Sequence, residues 1–339
     1  MSITARFVDS LEPRQLFTSL TPGQTVTATI GKVGQVQEYT VSLVAGRNIT
    51  VAAGDKGTTS FATDLRLINP SGQVVASSSG DTGAFISTTA AVTGTYKVRI
   101  GDVGNNQTGS ASVTAFYYAS SITDSDDAYA AESGRRRAAT IGPGDLDVWT
   151  LTATAGNFLS VVATENVVGE SIDIGVILVG PDGKVVSAKT SSAGVKIDVA
   201  SSAKGNYYAV VYEPGQNATG RYGISFARAP GAQYAGDPDT INPLQNNVTR
   251  NGDLPGGDMD IWSLSLTRGQ TISVSILRTT GSLDPELLLI GPDGKVVSSA
   301  NGSTSASLSY TITTTGTYWI LARDREADDG GQYAIKYKV

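Results

Sequence analysis

The chain has 339 residues and a formal net charge of −6, and it contains neither histidine nor cysteine. Its length allows two or three domains, each large enough to bury its own core. The missing residues exclude disulfides, thiolate metal sites, His-paired nucleophiles and the commonest zinc ligand, and the acidic balance argues against a phosphate-backbone partner.

The first twenty residues read as an extended arm. Ile3, Ala5 and Phe7 alternate with polar residues as a half-buried strand requires. Arg6, Asp9, Glu12 and Arg14 break up the apolar centre that a standard secretory signal needs. The string LEPRQLF, Leu11 to Phe17, resembles the LEPR-x-L-L segment near the N-terminus of many large exported surface proteins of planctomycete bacteria, with Phe17 in place of the final leucine. That resemblance implies an extracellular or cell-surface location. No stretch approaches the ~20 apolar residues of a membrane-spanning helix, and the longest apolar run, Ile172 to Val179, has strand length.

Beyond the arm the chain repeats itself. INPSGQVVAS at Ile68 to Ser77 returns as VGPDGKVVSA at Val179 to Ala188 and as IGPDGKVVSS at Ile290 to Ser299. Pro70, Pro181 and Pro292 keep one spacing, since 181 − 70 and 292 − 181 are both 111, and Gly94, Gly205 and Gly316 keep the same one. A third anchor, an aromatic residue opening an alternating run, appears in EYTVSLVAG, VWTLTATAG and IWSLSLTRG. A period this long exceeds a solenoid unit, so each copy is expected to be an independent fold. The expected units are an arm at 1–20, domains at 21–119, 134–229 and 241–339, and acidic linkers at 120–133 and 230–240.

Within each copy the period is two, as in Tyr39, Val41 and Leu43. Thr, Val, Ser and Ile dominate, and Gly with Pro-Ser-Gly or Pro-Asp-Gly punctuates at strand-length intervals, the pattern of an all-β sandwich. Pro presets the first corner of such a turn and Gly accepts the positive φ that follows, so each marks a hairpin. The expected fold is all-β: three tandem antiparallel, jelly-roll-like β-sandwiches.

These copies resemble bacterial pre-peptidase C-terminal domains, which trail many secreted proteases and are related to collagenase collagen-binding domains. The residues that carry the resemblance are Asp-x-Asp-aromatic in DLDVW and DMDIW, the DLRLINPSG string, the Gly-Thr-Tyr strand, and the closing Gly-x-Tyr of GRYGISF and GQYAIKY. The first copy departs, with Gln35, Gln37 and Tyr39 where the others have Asp, Asp and Trp.

Asp145 and Asp147, and likewise Asp258 and Asp260, are two residues apart at a strand start, so each pair of carboxylates leaves one face about 7 Å apart and repels unless a cation intervenes. Acidic linkers precede both pairs: Asp124, Asp126 and Asp127 before one, Asp237 and Asp239 before the other. Hard oxygen ligands from two segments suit calcium, and the resemblance implies calcium bridging linker and sandwich in the second and third copies. The alternative is that the acidic loops simply keep the surface soluble and the linkers extended. The first copy lacks the carboxylates and is expected to be metal-free.

Other strings carry less chemistry. Asp81-Thr82-Gly83 occurs once, whereas the aspartic-protease mechanism needs two such carboxylates. Asp324 to Ile335 mimics an EF-hand but has Asp329 at the glycine position and Ile335 at the bidentate glutamate position. Arg135 to Arg137 reads as a solvated strand end.

On the Gly-Thr-Tyr strands, Tyr96, Tyr207 and Tyr318 share one face, read as the inward one. The other face carries Lys97 and Arg99 in the first copy, Tyr208, Val210 and Tyr212 in the second, and Trp319 and Leu321 in the third. An apolar stripe there marks contact with a neighbouring domain, subunit or ligand. Reversing the faces would instead expose the tyrosines. The expected function is a non-catalytic extracellular structural or adhesive protein, partnered by itself or by a surface or matrix polymer, with the arm lending a strand to a neighbouring subunit. The alternative is a secreted calcium-dependent targeting module acting with a separate enzyme.

Overall fold

The structure is a computed structural model that describes residues 18–57, 61–118, 122, 130–165 and 172–339. Among the described residues there is no helix. The first sandwich contains β1 (Thr18–Ser19), β2 (Val26–Ile30), β3 (Gln37–Leu43), β4 (Asn48–Asp55), β5 (Thr63–Ile68), β6 (Val74–Gly80), β7 (Gly83–Thr89), β8 (Gly94–Asp102) and β9 (Gly109–Tyr117). Its front sheet runs β1-β3-β8-β5-β6 and its back sheet β2-β9-β4-β7.

The second sandwich contains β10 (Arg137–Ile141), β11 (Asp147–Ala153), β12 (Phe158–Glu165), β13 (Ile174–Val179), β14 (Val185–Ser191), β15 (Gly194–Ala200), β16 (Gly205–Tyr212) and β17 (Gly220–Ala229). Its front sheet is β11-β16-β13-β14 and its back sheet β10-β17-β12-β15. The third contains β18 (Arg250–Leu254), β19 (Met259–Leu266), β20 (Thr271–Arg278), β21 (Pro285–Ile290), β22 (Val296–Asn301), β23 (Ser305–Thr311), β24 (Gly316–Asp324) and β25 (Gly331–Lys338). Its front sheet is β19-β24-β21-β22 and its back sheet β18-β25-β20-β23.

The Pro-x-Gly turns close the hairpins β5/β6, β13/β14 and β21/β22. Gly72, Gly183 and Gly294 there take φ of +83°, +79° and +79°, which a side chain would resist. Each hairpin carries a register shift just before the turn, at Leu67/Ile68, Leu178/Val179 and Leu289/Ile290. Alternation fills the space between the sheets. Tyr96, Tyr207 and Tyr318 each lie inside a separate apolar cluster. Their hydroxyls donate to the carbonyls of Val92, Ala203 and Thr314 at 3.0, 3.2 and 2.9 Å, which removes the cost of burying an O–H.

At the N-terminal side, Thr18–Ser19 pair in parallel with Tyr39–Thr40, and Leu20 is 0% exposed in the first core. Residues 18–20 are therefore part of the first sandwich rather than of the arm, because an apolar side chain at the open end of the core gains more from burial than from solvent. Ile3, Ala5, Phe7 and the Leu11 to Phe17 string lie outside the described residues.

The sandwiches stack front sheet on back sheet. Tyr208, Val210 and Tyr212 of β16 bury against Ala52 and Phe116 on the first back sheet, and Tyr212 stacks on Phe85 with ring centroids 4.2 Å apart. Trp319 and Leu321 of β24 bury against Phe158, Val162, Ala227 and Ala229 on the second back sheet. The two outer faces of the stack differ in character. On the first front sheet, Glu38 of β3 accepts from Lys97 at 3.0 Å and Arg99 at 2.8 Å. Burial pushes the Glu38 carboxyl up, but these two cations together hold it below its usual range. On the third back sheet, Thr271, Ser273, Ser275 and Lys338 are exposed where the second has Phe158, Ser160, Val162 and Ala227.

The second junction also contains a buried ionic clamp. Arg323 of β24, 1% exposed, donates to both oxygens of Asp198 at 2.7 and 2.6 Å, to Ser160 at 2.7 Å and to Glu286 at 2.7 Å. Lys196 reaches Glu286 at 2.8 Å from the second sandwich. Burial alone would raise the Asp198 carboxyl, yet the Arg323 guanidinium holds it below the usual carboxylate range.

Candidate metal centre

The acidic residues divide by position along the strand. Asp260, on β19, turns into the third sandwich and is 0% exposed. Its Oδ2 accepts from the hydroxyl of Tyr333 on β25, while its Oδ1 is buried with no hydrogen-bond partner. Asp237 and Asp239, from the loop between β17 and β18, each bring one carboxylate oxygen to within 4.8 Å of a carboxylate oxygen of Asp260 and of each other. That loop is held by backbone donors from itself and from β18: the N–H of Asp239 donates to Asp237 Oδ1 at 2.8 Å, and the N–H of Asp253 to Asp239 Oδ2 at 3.1 Å.

Three carboxylates this close and this dry repel. Burial pushes the Asp260 carboxyl well above its usual range, and the charges of Asp258, Asp237 and Asp239 add to that. Asp258 is pushed up to about 7 by burial and then by Asp237, against the opposing pull of the Met259 N–H and of Arg136. Asp239 is raised for the same reasons, and Tyr333 is raised by burial beside the Asp260 charge. A cation among these oxygens would reverse the penalty. An all-oxygen set from two chain segments, with one orphaned buried oxygen, fits a hard divalent ion such as calcium.

Asp258 stands apart from that trio. It accepts from Ser225 of the second sandwich at 3.2 Å, and Arg136 of β10's approach donates to the neighbouring Gly256 carbonyl at 2.9 Å. Asp145 occupies the matching place one junction earlier, accepting from Thr25 at 2.9 Å. Asp145 and Asp258 thus tie each sandwich to the one before it. Asp147 and Asp260 turn inward, and Asp147 accepts from Tyr222 at 2.6 Å, which in turn accepts from the Trp149 indole at 2.9 Å. Asp124, Asp126 and Asp127 lie outside the described residues.

Among the described residues the first sandwich has no counterpart of this carboxylate cluster. Gln37 donates to the Thr29 carbonyl at 2.9 Å, and Gln35 accepts from the Gly31 and Lys32 N–H groups. Ala111 on β9 holds the place of Tyr222 and Tyr333. Those two tyrosines are the site residues that reading the sequence missed. Their signal was internal to the chain: the tyrosine of Gly-x-Tyr is lost in the one copy that also loses the aspartate. The remaining motifs are structural. Arg135 lies over the Tyr234 ring, 4.4 Å from its centroid, and pairs with Glu132, and the Asp324 carboxylate accepts the N–H groups of Asp284, Glu326 and Asp328.

Residues 258–323, inside the third sandwich, match the sequence profile of the bacterial pre-peptidase C-terminal domain. No curated protein matches in sequence. Among solved structures, the chain is similar to the pre-peptidase C-terminal domain of a collagenase from Bacillus anthracis (20% identity, 29% of this chain and 98% of that one, TM-score 0.24). It is also similar to PliG of Aeromonas hydrophila, a periplasmic inhibitor of g-type lysozyme (18% identity, 28% and 94%, TM-score 0.23). Over a longer span it is similar to a Sulfolobus turreted icosahedral virus protein (10% identity, 92% and 88%, TM-score 0.22).

Proposed function

We propose that this chain is a non-catalytic structural or adhesive protein of the cell surface, which self-assembles by lending its N-terminal arm to a neighbouring subunit. The supporting observation is how the stack disposes of its surfaces. The apolar faces that could have gripped a ligand are consumed between sandwiches, and the outer faces are mainly polar, with Leu277 the exposed large apolar residue on the third back sheet, as on terminal capping units. Growth by adding further sandwiches face to face is disfavoured, which leaves strand edges and the arm for contact. The test is sedimentation and electron microscopy of the full chain beside a chain lacking residues 1–17. Ordered oligomers from the first and monomers from the second are expected, and a full chain that stays monomeric at high concentration refutes the reading.

A second reading, a calcium-dependent binding module, is favoured by the orphaned Asp260 oxygen beside Asp237 and Asp239. Calcium is expected to raise the melting temperature of the full chain, with Asp260→Asn abolishing the shift. Identical melting with calcium and with chelator would refute this second reading.

A further inference from the structure

The segment leading into each sandwich meets the edge strand of the front sheet, but the third sandwich differs from the other two. In the first, the Leu20 N–H donates to the Thr40 carbonyl of β3 at 3.0 Å, within the parallel pairing of β1. In the second, the Ala131 N–H donates to the Thr150 carbonyl of β11 at 2.8 Å, through the parallel bridge of Ala130 and Thr150. Leu244 is the counterpart of Leu20 and is likewise buried in its core. Ser263 of β19 is the counterpart of Thr40 and Thr150. Among the described residues no parallel partner pairs with Ser263, and the Leu244 N–H makes no bond to its carbonyl. Pro243, which has no N–H to donate, stands where Ser19 and Ala130 stand, and the next bridge is kept, Asn246 with Tyr337 as Ser133 with Phe226 one sandwich earlier.

Beside the bare edge is a groove of about 340 Å³ lined by Gln233, Tyr234, Ile241, Pro243, Ile261 and Ser263, among others. Ile241 in its wall is 56% exposed. A groove of the same size flanks β11, but there the already paired Ala130 and Ala131 form part of the lining. Bare edge backbone next to an apolar wall is the arrangement into which an extended peptide adds a strand.

We propose that the outer edge of β19 is the acceptor for the N-terminal arm of a second copy of this chain, which enters parallel to β19 with Ile3, Ala5 and Phe7 alternating along it. This rests on the strand-lending reading above and adds where the strand goes. Three observations select the occupant. The equivalent slots of the first two sandwiches take parallel segments, so the slot has a fixed direction. Within the residues before Thr18, Ile3 to Phe7 alternate as a strand should. Donor and acceptor sit at opposite ends of the stack, one ahead of the first sandwich and one on the third, so the contact is heterologous and repeats from subunit to subunit without closing a two-fold dimer.

The test compares the full chain, a chain lacking residues 1–17, and Ser263→Pro. Proline is tolerated on an edge strand whose N–H faces outward, and it removes one donor of the slot. Far-ultraviolet dichroism and thermal melting matching the parent verify that the variant folds. A synthetic peptide of residues 1–12 is titrated into the truncated chain with and without Ser263→Pro. Because the chain has no cysteine, an Ala5→Cys chain mixed with an Ile241→Cys chain gives an independent readout by disulfide trapping.

The expected results are that the full chain assembles, truncation and Ser263→Pro each reduce assembly at least tenfold, the peptide binds only with Ser263 present, and the mixed cysteine chains cross-link. If truncation abolishes assembly while Ser263→Pro assembles, binds peptide and cross-links like the parent, the acceptor assignment is wrong and arm lending stands. If assembly survives truncation, both fall.

Discussion

Replacing Arg323 with methionine tests whether the second junction is held by charge as well as by apolar contact. The guanidinium is 1% exposed and satisfies Asp198, Ser160 and Glu286 together. Removing one partner of a buried pair costs about 3–5 kcal/mol, because the stranded charge has lost its water. The figure is smaller here. The Asp198 side chain is 34% exposed and can rehydrate, Glu286 keeps Lys196 at 2.8 Å, and methionine fills much of the vacated volume. The expected loss is therefore about 2–3 kcal/mol. Lys97→Met, at the open face where the lysine is 38% exposed, is the control and is expected to cost less than about 1 kcal/mol. The assay is urea unfolding followed by tryptophan fluorescence, to which Trp319 contributes from inside the junction at 6% exposure. A loss below about 0.5 kcal/mol for Arg323→Met, or one equal to the control, would refute the clamp.

Acid should open the same junction. The folded-state Asp198 carboxyl lies below its unfolded value of about 3.9, so its contribution is fully present above that pH and is lost as pH falls through the folded value. Carboxyls with raised values, such as Asp258, take up their protons in the folded state first, so their contribution grows as pH falls towards about 3.9 and levels off only once the unfolded carboxyls are protonated too. Hydrogen exchange across β24 is expected to accelerate below about pH 4 before that across β16, and simultaneous loss would contradict the assignment. At the first junction, Gly54→Ala would place a methyl group 2.4 Å from Pro143 and Gly144, overpacking a close backbone approach at about 1–3 kcal/mol. Gly31→Ala meets nothing closer than the Gln35 side chain at 3.6 Å and is expected to be neutral. Equal melting of the two variants would mean that the first and second sandwiches are not packed as described.

Much of this protein was legible without coordinates because the forces involved are local. Alternation of Tyr39, Val41 and Leu43 defines a strand and its buried face, Pro-x-Gly fixes a turn through the φ that only glycine adopts readily, and both recur at one spacing. The apolar stripe of Tyr208, Val210 and Tyr212, against Lys97 and Arg99 in the first copy, could be read as a contact surface for the same reason. What covers that stripe could not be read. The partner surface, Ala52 and Phe116, comes from strands distant in sequence, and small residues such as Ala52 signal nothing until the neighbour is in place. The four aspartates of DLDVW and DMDIW looked equivalent in one dimension. Only packing separates Asp145 and Asp258, which reach back to the preceding sandwich, from Asp147 and Asp260, which turn inward beneath a tyrosine. The Arg323 clamp and the bare edge at Ser263 belong wholly to the tertiary structure. A buried charge is stable only where distant strands deliver its partners, and an edge stays unpaired only where the segment beside it, here Pro243 and Leu244, makes no bond to it.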